Sequence, residues 1–178
     1  WSKRAGGSSY DAGGGVALDD FGNVYITGYF SSTSDFDTVV LNSSGGDDVF
    51  VAKYDSSGNF NWISRTFGSG IYDIGVKIRI QQDKICVVGQ FEDTMSIGQQ
   101  TLISYGGMDG FISLMDSTGN FLWAKQLGSP GNDRFSDAAF SVNNEIVASA
   151  WINQTAFLDN TLINVFNKSG VVSWFDYN

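Results

Sequence analysis

The sequence predicts an all-β protein built from repeated units, and three observations carry that prediction. Trp1, Trp62 and Trp123 recur at an interval of 61 residues. Apolar and polar residues alternate along short segments, with the period of a strand rather than that of a helix. Turn-forming segments such as 55–59 (Asp-Ser-Ser-Gly-Asn) separate them, and no capped amphipathic stretch of helix length occurs. A fixed repeat of this length is typical of stacked units.

Each unit is predicted to contain four short strands. In the first unit they are centred on residues 16–18 and cover 24–30, 49–54 and 60–65. In the second of these strands, Val24, Ile26, Gly28 and Phe30 share one face. The segments 85–91 and 146–152 repeat that face one and two intervals later. Because a shift of one residue would turn every side chain to the other face, this agreement specifies the strand pairing.

The segments between the strands are predicted hairpin loops. Residues 19–23, 55–59 and 116–120 each begin with Asp and carry Gly followed by Asn. The Asp side chain starts the turn by accepting backbone hydrogen bonds, and Gly adopts positive φ without steric cost.

The third unit is predicted to be shorter than the first two. Trp174 follows Trp123 after only 51 residues. We expect about ten residues to be missing near Ile163 and Asn164. The predicted units are about 1–61, 62–122 and 123–174, in a single repeat domain that we expect to be part of a longer chain.

Four-stranded units with two apolar faces stack around an axis, as the blades of a propeller do. A propeller usually needs ~4–8 blades, so three units do not close a ring. The predicted fold class is therefore all-β, of the β-propeller repeat type, with about three four-stranded blades of a larger or incomplete ring. We expect the chain to begin and end on the Trp-bearing fourth strand of a blade.

The motifs resemble a known repeat family. The segments 7–30 and 44–62 carry the pattern Gly-Asn-Val-Tyr-Ile-Thr-Gly-Tyr-Phe, then Asp-x-Phe-x-Ala-Lys-Tyr-Asp-x-x-Gly-Asn-x-x-Trp. The pattern recurs in 73–91 and 104–123, and it resembles the bacterial β-propeller repeat called SBBP. The resemblance implies a large secreted or cell-surface protein of Gram-negative bacteria, many of which leave by the type IX route. It also implies a non-catalytic scaffold for adhesion or binding.

Composition and charge exclude several classes of function. The chain has 19 acidic and 10 basic side chains, a net charge of −9 and no His. That charge disfavours nucleic acid and anionic membrane surfaces, and the absence of His removes His-based catalysis and imidazole metal sites. The apolar runs are too short to span a bilayer, which predicts no membrane insertion. Cys86 lies in an apolar segment and is predicted to be a small buried side chain.

The recurring Asp residues are predicted to be structural. The turn Asp residues lack the ligand spacing of a calcium loop, and hairpin geometry already requires them. Asp11, Asp73 and Asp133 recur once per unit, and we expect them to accept backbone N–H bonds at the entry to the first strand. A ring of metal ligands is the alternative. We therefore predict no metal, no cofactor and no catalytic residue.

Trp151 is the candidate for contact with a ligand or partner. It replaces Tyr29 and Gln90 on the more polar face of its strand. The repeating Trp1, Trp62, Trp123 and Trp174 are instead predicted to pack between blades, with stacking on sugars as the alternative.

The predicted function is a non-catalytic structural or binding module of the adhesion type, secreted or on the bacterial cell surface. Its predicted partners are other parts of the parent chain or neighbouring subunits, with a glycan as a candidate ligand. Two alternatives stay open. The chain is an accessory part of a surface carbohydrate-active enzyme, or it is a subunit of an extracellular filament.

Overall fold

The computed structural model describes residues 1–159, 161–164 and 169–176. Within these residues the chain forms strands and turns, and it contains no helix. The strands in chain order are β1 (Ala5–Gly7), β2 (Asp11–Leu18), β3 (Val24–Phe36), β4 (Val39–Tyr54), β5 (Phe60–Arg65), β6 (Phe67–Gly68), β7 (Ile74–Gln81), β8 (Lys84–Ile97), β9 (Gln100–Asp116), β10 (Phe121–Gly128), β11 (Arg134–Phe140), β12 (Glu145–Ile152), β13 (Ala156–Leu158), β14 (Thr161–Ile163) and β15 (Ser169–Asp176). The predicted all-β fold class is confirmed.

The strands form three antiparallel sheets, one for each predicted repeat. In the first, β2 pairs with β3, which continues to β4 and β5; in the second, β7 pairs with β8, which continues to β9 and β10. The third sheet has the order β11–β12–β15. We call these sheets the first, second and third blade. The four strands predicted for the first unit are all present.

Two strands of each complete blade are longer than the alternation predicts. Beyond Phe30, β3 continues past a bulge at Ser32, where φ is 60°, and pairs with the start of β4 as far as Phe36 opposite Val39. The strands β8 and β9 form the same extension past Asp93, where φ is 56°. We call each extension an arm. The short hairpin β13–β14 is the arm of the third unit.

Each arm pairs with the segment that enters its blade. Strand β1 pairs with the arm of β3, and β6 pairs with the arm of β8. The end of β10 pairs with β13 in the same way, with Leu127 opposite Leu158. Since β6 and β10 continue from the outer strand of one blade to the arm of the next, these pairings connect neighbouring blades.

The core lies between the blades. The first cluster joins the first blade to the second through side chains that include Tyr25, Val49, Val51, Ile85, Val87 and Phe91. The next joins the second blade to the third through side chains that include Val88, Ile112, Leu114, Phe135, Ile146 and Ile152. Aromatic residues, among them Phe30, Phe36 and Phe50, form a third cluster on the other face of the first blade. Both faces of the second blade are therefore buried against its neighbours, as stacked blades require.

The first strands of the three blades lie side by side. A Cβ added at Gly14 of β2 would overlap the backbone carbonyl oxygen of Gly75 in β7. On the other side of β7, the Arg79 guanidinium forms an ion pair with Asp137 of β11 at 2.5 Å. This side-by-side order of β2, β7 and β11 is the arrangement of inner strands in a propeller.

The third blade corrects the predicted alignment of Trp174. In the second blade Leu114 of the third strand lies opposite Cys86, and in the third blade Trp174 lies opposite Val147 in the same antiparallel manner. Strand β15 is thus the third strand of its blade, so the predictions of a Trp-bearing fourth strand there and of a ten-residue gap are wrong. Matching Trp to Trp, instead of matching strand registers, caused the error.

Candidate functional site

An open cavity lies where the second blade meets the third. Its volume is about 260 Å³, and its lining residues are Gln90, Met108, Asn132, Asp133, Arg134 and Trp151. Gln90 and Met108 come from β8 and β9, whereas Arg134 and Trp151 face each other as cross-strand partners on β11 and β12. Both blades thus contribute to the wall of this junction cavity.

Most polar groups of the junction cavity already have protein partners. The Gln90 amide donates to the Met108 sulfur at 2.9 Å, and Asn132 Oδ1 accepts the backbone N–H of Met108 at 3.1 Å. Both carboxylate oxygens of Asp133 accept backbone N–H groups, from Ser129 at 2.6 Å and Asn153 at 2.8 Å. These groups shape the wall and are held in position by the backbone.

Arg134 is the charged group that the junction cavity can offer to a ligand. It is exposed, and its guanidinium makes no hydrogen bond or ion pair with any residue in the described part of the chain. Trp151 beside it is half-buried and presents an indole ring to the same cavity. A guanidinium next to an aromatic ring can bind a carboxylate or hydroxyl groups while the ring stacks on an apolar face. The sequence singled out Trp151 but gave no signal for Arg134.

Trp62 and Trp123 pack against core clusters of the protein itself, whereas Trp1 is 62% exposed. Trp62 on β5 donates its indole N–H to the carbonyl of Ser117 in the second blade at 3.2 Å, and its ring lies edge-on to Tyr25 of the first blade. Trp1 makes the equivalent bond to Ser56 at 3.0 Å. The predicted packing role is confirmed for Trp62, which contacts both blades. Trp174 is 63% exposed and does not share it.

A second open cavity borders Trp123, and its polar groups are engaged with one another. Lys125 forms an ion pair with Asp159 at 3.0 Å, and the Gln126 amide donates to Asp109 at 2.6 Å. The Trp123 ring itself stacks on Phe175. Ligand binding there would have to break these contacts, so the junction cavity is the stronger candidate.

The turn Asp residues act as the hairpin geometry predicts. Asp116 accepts the backbone N–H groups of Thr118 at 2.9 Å and Asn120 at 3.0 Å, and Asp55 and Asp19 accept equivalent bonds in their own turns. Burial acts to raise the pKa of Asp116, but hydrogen bonds from Thr118 and Asn120 outweigh it and lower that pKa to about 2. The described residues contain no group of three or more potential acidic, Cys or His ligands for a metal ion.

The Asp residues at the blade entries accept backbone N–H groups, as predicted. Asp11 bonds to Gly7 at 2.8 Å, Asp73 to Glu92 at 3.1 Å, and Asp133 to Ser129 and Asn153. The sequence did not reveal that two further carboxylates, Asp48 and Asp109, lie buried beside the second and third of these residues. The signal was present, because Asp48 and Asp109 begin the repeated Asp-x-Phe motif.

Cys86 is buried between the second and third blades, as predicted. Burial raises the pKa of its thiol far above the ordinary value, so the side chain behaves as an apolar group. In the part of the chain that the structure describes, no helix is long and apolar enough to cross a membrane.

Comparison with known proteins agrees with this geometry. Residues 1–37 match the beta-propeller repeat family SBBP. An uncharacterised WD repeat-containing protein of Acanthamoeba polyphaga mimivirus is 26% identical over 113 residues, a match that covers 53% of this chain. The matched segment spans 8% of that much longer protein.

Proposed function

We propose that this protein with an SBBP β-propeller repeat is a non-catalytic binding module of the adhesion type, secreted or carried on a bacterial cell surface. In this proposal the blades form a rigid scaffold and the junction cavity binds the ligand. Ligand sites of proteins are typically concave, with few polar groups at fixed positions. The pairing of Arg134 with Trp151 in one cavity wall is the observation that carries the proposal.

The ligand class that fits this wall best is a glycan. A sugar ring offers an apolar face to the indole of Trp151 and hydroxyl or carboxylate groups to the guanidinium of Arg134. An acidic glycan is favoured because the guanidinium of Arg134 has no hydrogen-bond or ion-pair partner among the described residues and can pair with a carboxylate.

The carboxylate chemistry of the cavity favours binding over catalysis. Glycoside hydrolysis typically requires two carboxyl groups at the scissile bond, one as general acid and the other as nucleophile or general base. Asp133 is the acidic residue in this wall, and backbone N–H groups occupy both of its oxygens.

The remaining partners of the proposal follow from the blade faces. The outward face of the third blade presents Val172 and Trp174, which are 56% and 63% exposed. Other parts of a parent chain or neighbouring subunits are the partners that such an apolar face fits. The acidic charge agrees with a position away from anionic membranes and nucleic acid.

The experiment that tests the proposal is binding of the chain to an array of neutral and uronic-acid glycans. We expect binding to the acidic glycans, and a loss of roughly 10-fold or more in affinity for Trp151→Ala and for Arg134→Gln. Trp174→Ala is the matched control, because Trp174 is an exposed Trp outside the cavity, and it should bind normally. Melting curves verify that each variant is folded.

Two results would overturn the proposal. If the wild type binds no glycan, or if both cavity variants bind as the wild type does, the junction cavity is not the site. Cleavage of a bound glycan would show that the module is catalytic.

A further inference from the structure

Two carboxylates lie at each blade junction, buried from solvent. Asp48 and Asp73 lie at the first junction, and Asp109 and Asp133 lie at the second. Asp48, Asp73 and Asp109 are 0% exposed, and Asp133 is 2% exposed. We call these the junction acid pairs. Asp133 also lines the junction cavity, but the pairs do not include the proposed glycan contacts Trp151 and Arg134.

At the first junction the two carboxylates approach the same glycine. A Cβ added at Gly68 would overlap Asp73 Oδ2 and would lie 3.4 Å from Asp48 Oδ1. Both oxygens of Asp48 accept backbone N–H groups, from Gly68 at 2.9 Å and Ser44 at 2.8 Å. Asp73 Oδ1 accepts the N–H of Glu92, but Asp73 Oδ2 has no hydrogen-bond partner among the described residues.

At the second junction the arrangement recurs with the two roles exchanged. Both oxygens of Asp133 accept backbone N–H groups. Asp109 Oδ2 accepts the N–H of Tyr105 at 2.9 Å and the amide of Gln126 at 2.6 Å, whereas Asp109 Oδ1 has no partner in the part of the chain that the structure describes. Each pair therefore contains one fully bonded carboxylate and one with a single unfilled oxygen.

The charges facing the unfilled oxygens are mostly negative. Asp73 lies in the field of Asp48, Glu92 and Asp47, and the Arg65 guanidinium approaches the pair only at 3.5 Å from Asp48. The charge of Asp133 acts on Asp109 in the same sense. A buried anionic oxygen with no donor is costly, and a second carboxylate beside it increases that cost. A carboxylic acid removes both costs, because it is neutral and its O–H is a donor.

We propose that each junction acid pair is a proton-binding site that holds one proton at neutral pH. Asp73 Oδ2 carries it at the first junction, and Asp109 Oδ1 carries it at the second. The proton comes from water as the blades pack, and the neutral acid becomes a hydrogen-bond donor. No other reactant is consumed.

The pKa values agree with this geometry. Burial, together with repulsion from the neighbouring acids, raises the pKa of Asp73 to about 7. The hydrogen bond from the Glu92 N–H acts to lower this pKa, but its effect is smaller. Burial likewise raises the pKa of Asp109 to about 7. Because the folded state binds these protons more tightly than the unfolded state, their stabilisation is complete below about pH 4. It is lost as the pH rises through about 7.

The test is the melting temperature of the chain between about pH 5 and about pH 8. The chain has no His, so the side chain that ordinarily titrates in this range is absent. We expect the melting temperature to fall by roughly 5–10 °C over this range. The double variant Asp73→Asn, Asp109→Asn, which keeps a neutral donor at each position, should lose most of that dependence.

Asp133→Asn is the matched control. It replaces a fully bonded acceptor, so it should lower the melting temperature without removing the pH dependence contributed by Asp73. Infrared spectroscopy of the unmodified chain provides a readout that needs no variant to fold. We expect a protonated carboxylic acid band at about pH 6 that disappears at higher pH and is absent from the double variant.

Three outcomes would overturn the proposal. One is a wild-type melting temperature that is constant or rises over this range, and another is a spectrum without the acid band. The third is stabilisation at about pH 8 by Ca²⁺ that a chelator reverses, since the ligand of the pairs would then be a metal ion.

Discussion

Trp62 lies on the first blade and donates a hydrogen bond to the second. Its indole N–H reaches Ser117 in the turn of the second blade, and its ring covers the turn so closely that a Cβ at Gly119 would lie 3.0 Å from it. The same ring meets Tyr25 of the first blade at a centroid distance of 6.1 Å. Removing this side chain would take apolar contacts from both sheets at once.

We therefore expect Trp62→Ala to lower the free energy of unfolding by about 3–5 kcal/mol, the range for large aromatic deletions in a core. Denaturant unfolding measures this. Trp174→Ala, which removes the same side chain from a position that is 63% exposed, should cost less than about 1 kcal/mol. Equal losses in the two variants would contradict the packing role of Trp62.

Asp116 illustrates the pH dependence of a turn. Its carboxylate accepts bonds from Thr118 and Asn120, which lower its pKa to about 2. A lowered pKa gives stability that is present above the ordinary pKa of Asp and is lost as the pH falls towards 2. We expect Asp116→Ala to cost about 1 kcal/mol near neutral pH, with the difference shrinking below about pH 4.

Urea unfolding of the wild type and Asp116→Ala at several pH values measures this difference. Added chelator should leave both melting temperatures unchanged, because N–H donors already occupy the turn carboxylate. A stability difference that grows as the pH falls would contradict the hydrogen-bonding assignment.

The sequence revealed some site residues and concealed others for physical reasons. Trp151 was visible because a large aromatic residue interrupts a repeated pattern. Arg134 was not visible, since a single exposed Arg has no pattern and its meaning depends on the cross-strand neighbour. Asp48 and Asp109 were visible as a repeat, but their burial depends on contacts with the entry to the next blade, which no local spacing encodes.

Strand β2 approaches β7 more closely than side chains allow. A Cβ at Gly14 would overlap the Gly75 carbonyl, whereas a Cβ at Gly13 would have no atom within 4 Å. We expect Gly14→Ala to destabilise the chain by about 1–3 kcal/mol through overpacking. Gly13→Ala is the matched control and should be nearly neutral. Thermal unfolding compares them, and an equally stable Gly14→Ala would show that the inner strands do not touch.

The arms are strand segments that the sequence pattern did not predict. The core segments of β3 and β8 alternate apolar and polar residues, and their registers followed from that pattern. The arm of β3 begins with residues 31–34, all Ser or Thr, and therefore offers no alternation. Its strand geometry comes from pairing with β1 and β4, which is a contact between distant segments.

The outward face of the third blade exposes apolar side chains to solvent. Val172 and Trp174 lie on the face of β15 opposite Val171 and Phe175, which pack against the second blade. Exposed apolar area of this kind favours association. We expect the chain to self-associate at micromolar concentrations, and sedimentation analysis measures this. Trp174→Ser should reduce association, whereas a wild type that stays monomeric at all concentrations would contradict the expectation.

The bond from Trp1 to Ser56 and the bond from Trp62 to Ser117 each join residues that are 55 positions apart. The first and second units therefore each carry both halves of a joint, a donor indole at one end and an acceptor turn at the other. In genetic terms the unit is a cassette. Unequal recombination between two cassettes adds or removes a whole one and leaves each new joint chemically identical to the old. We expect genes encoding such chains to vary in length by steps of one cassette.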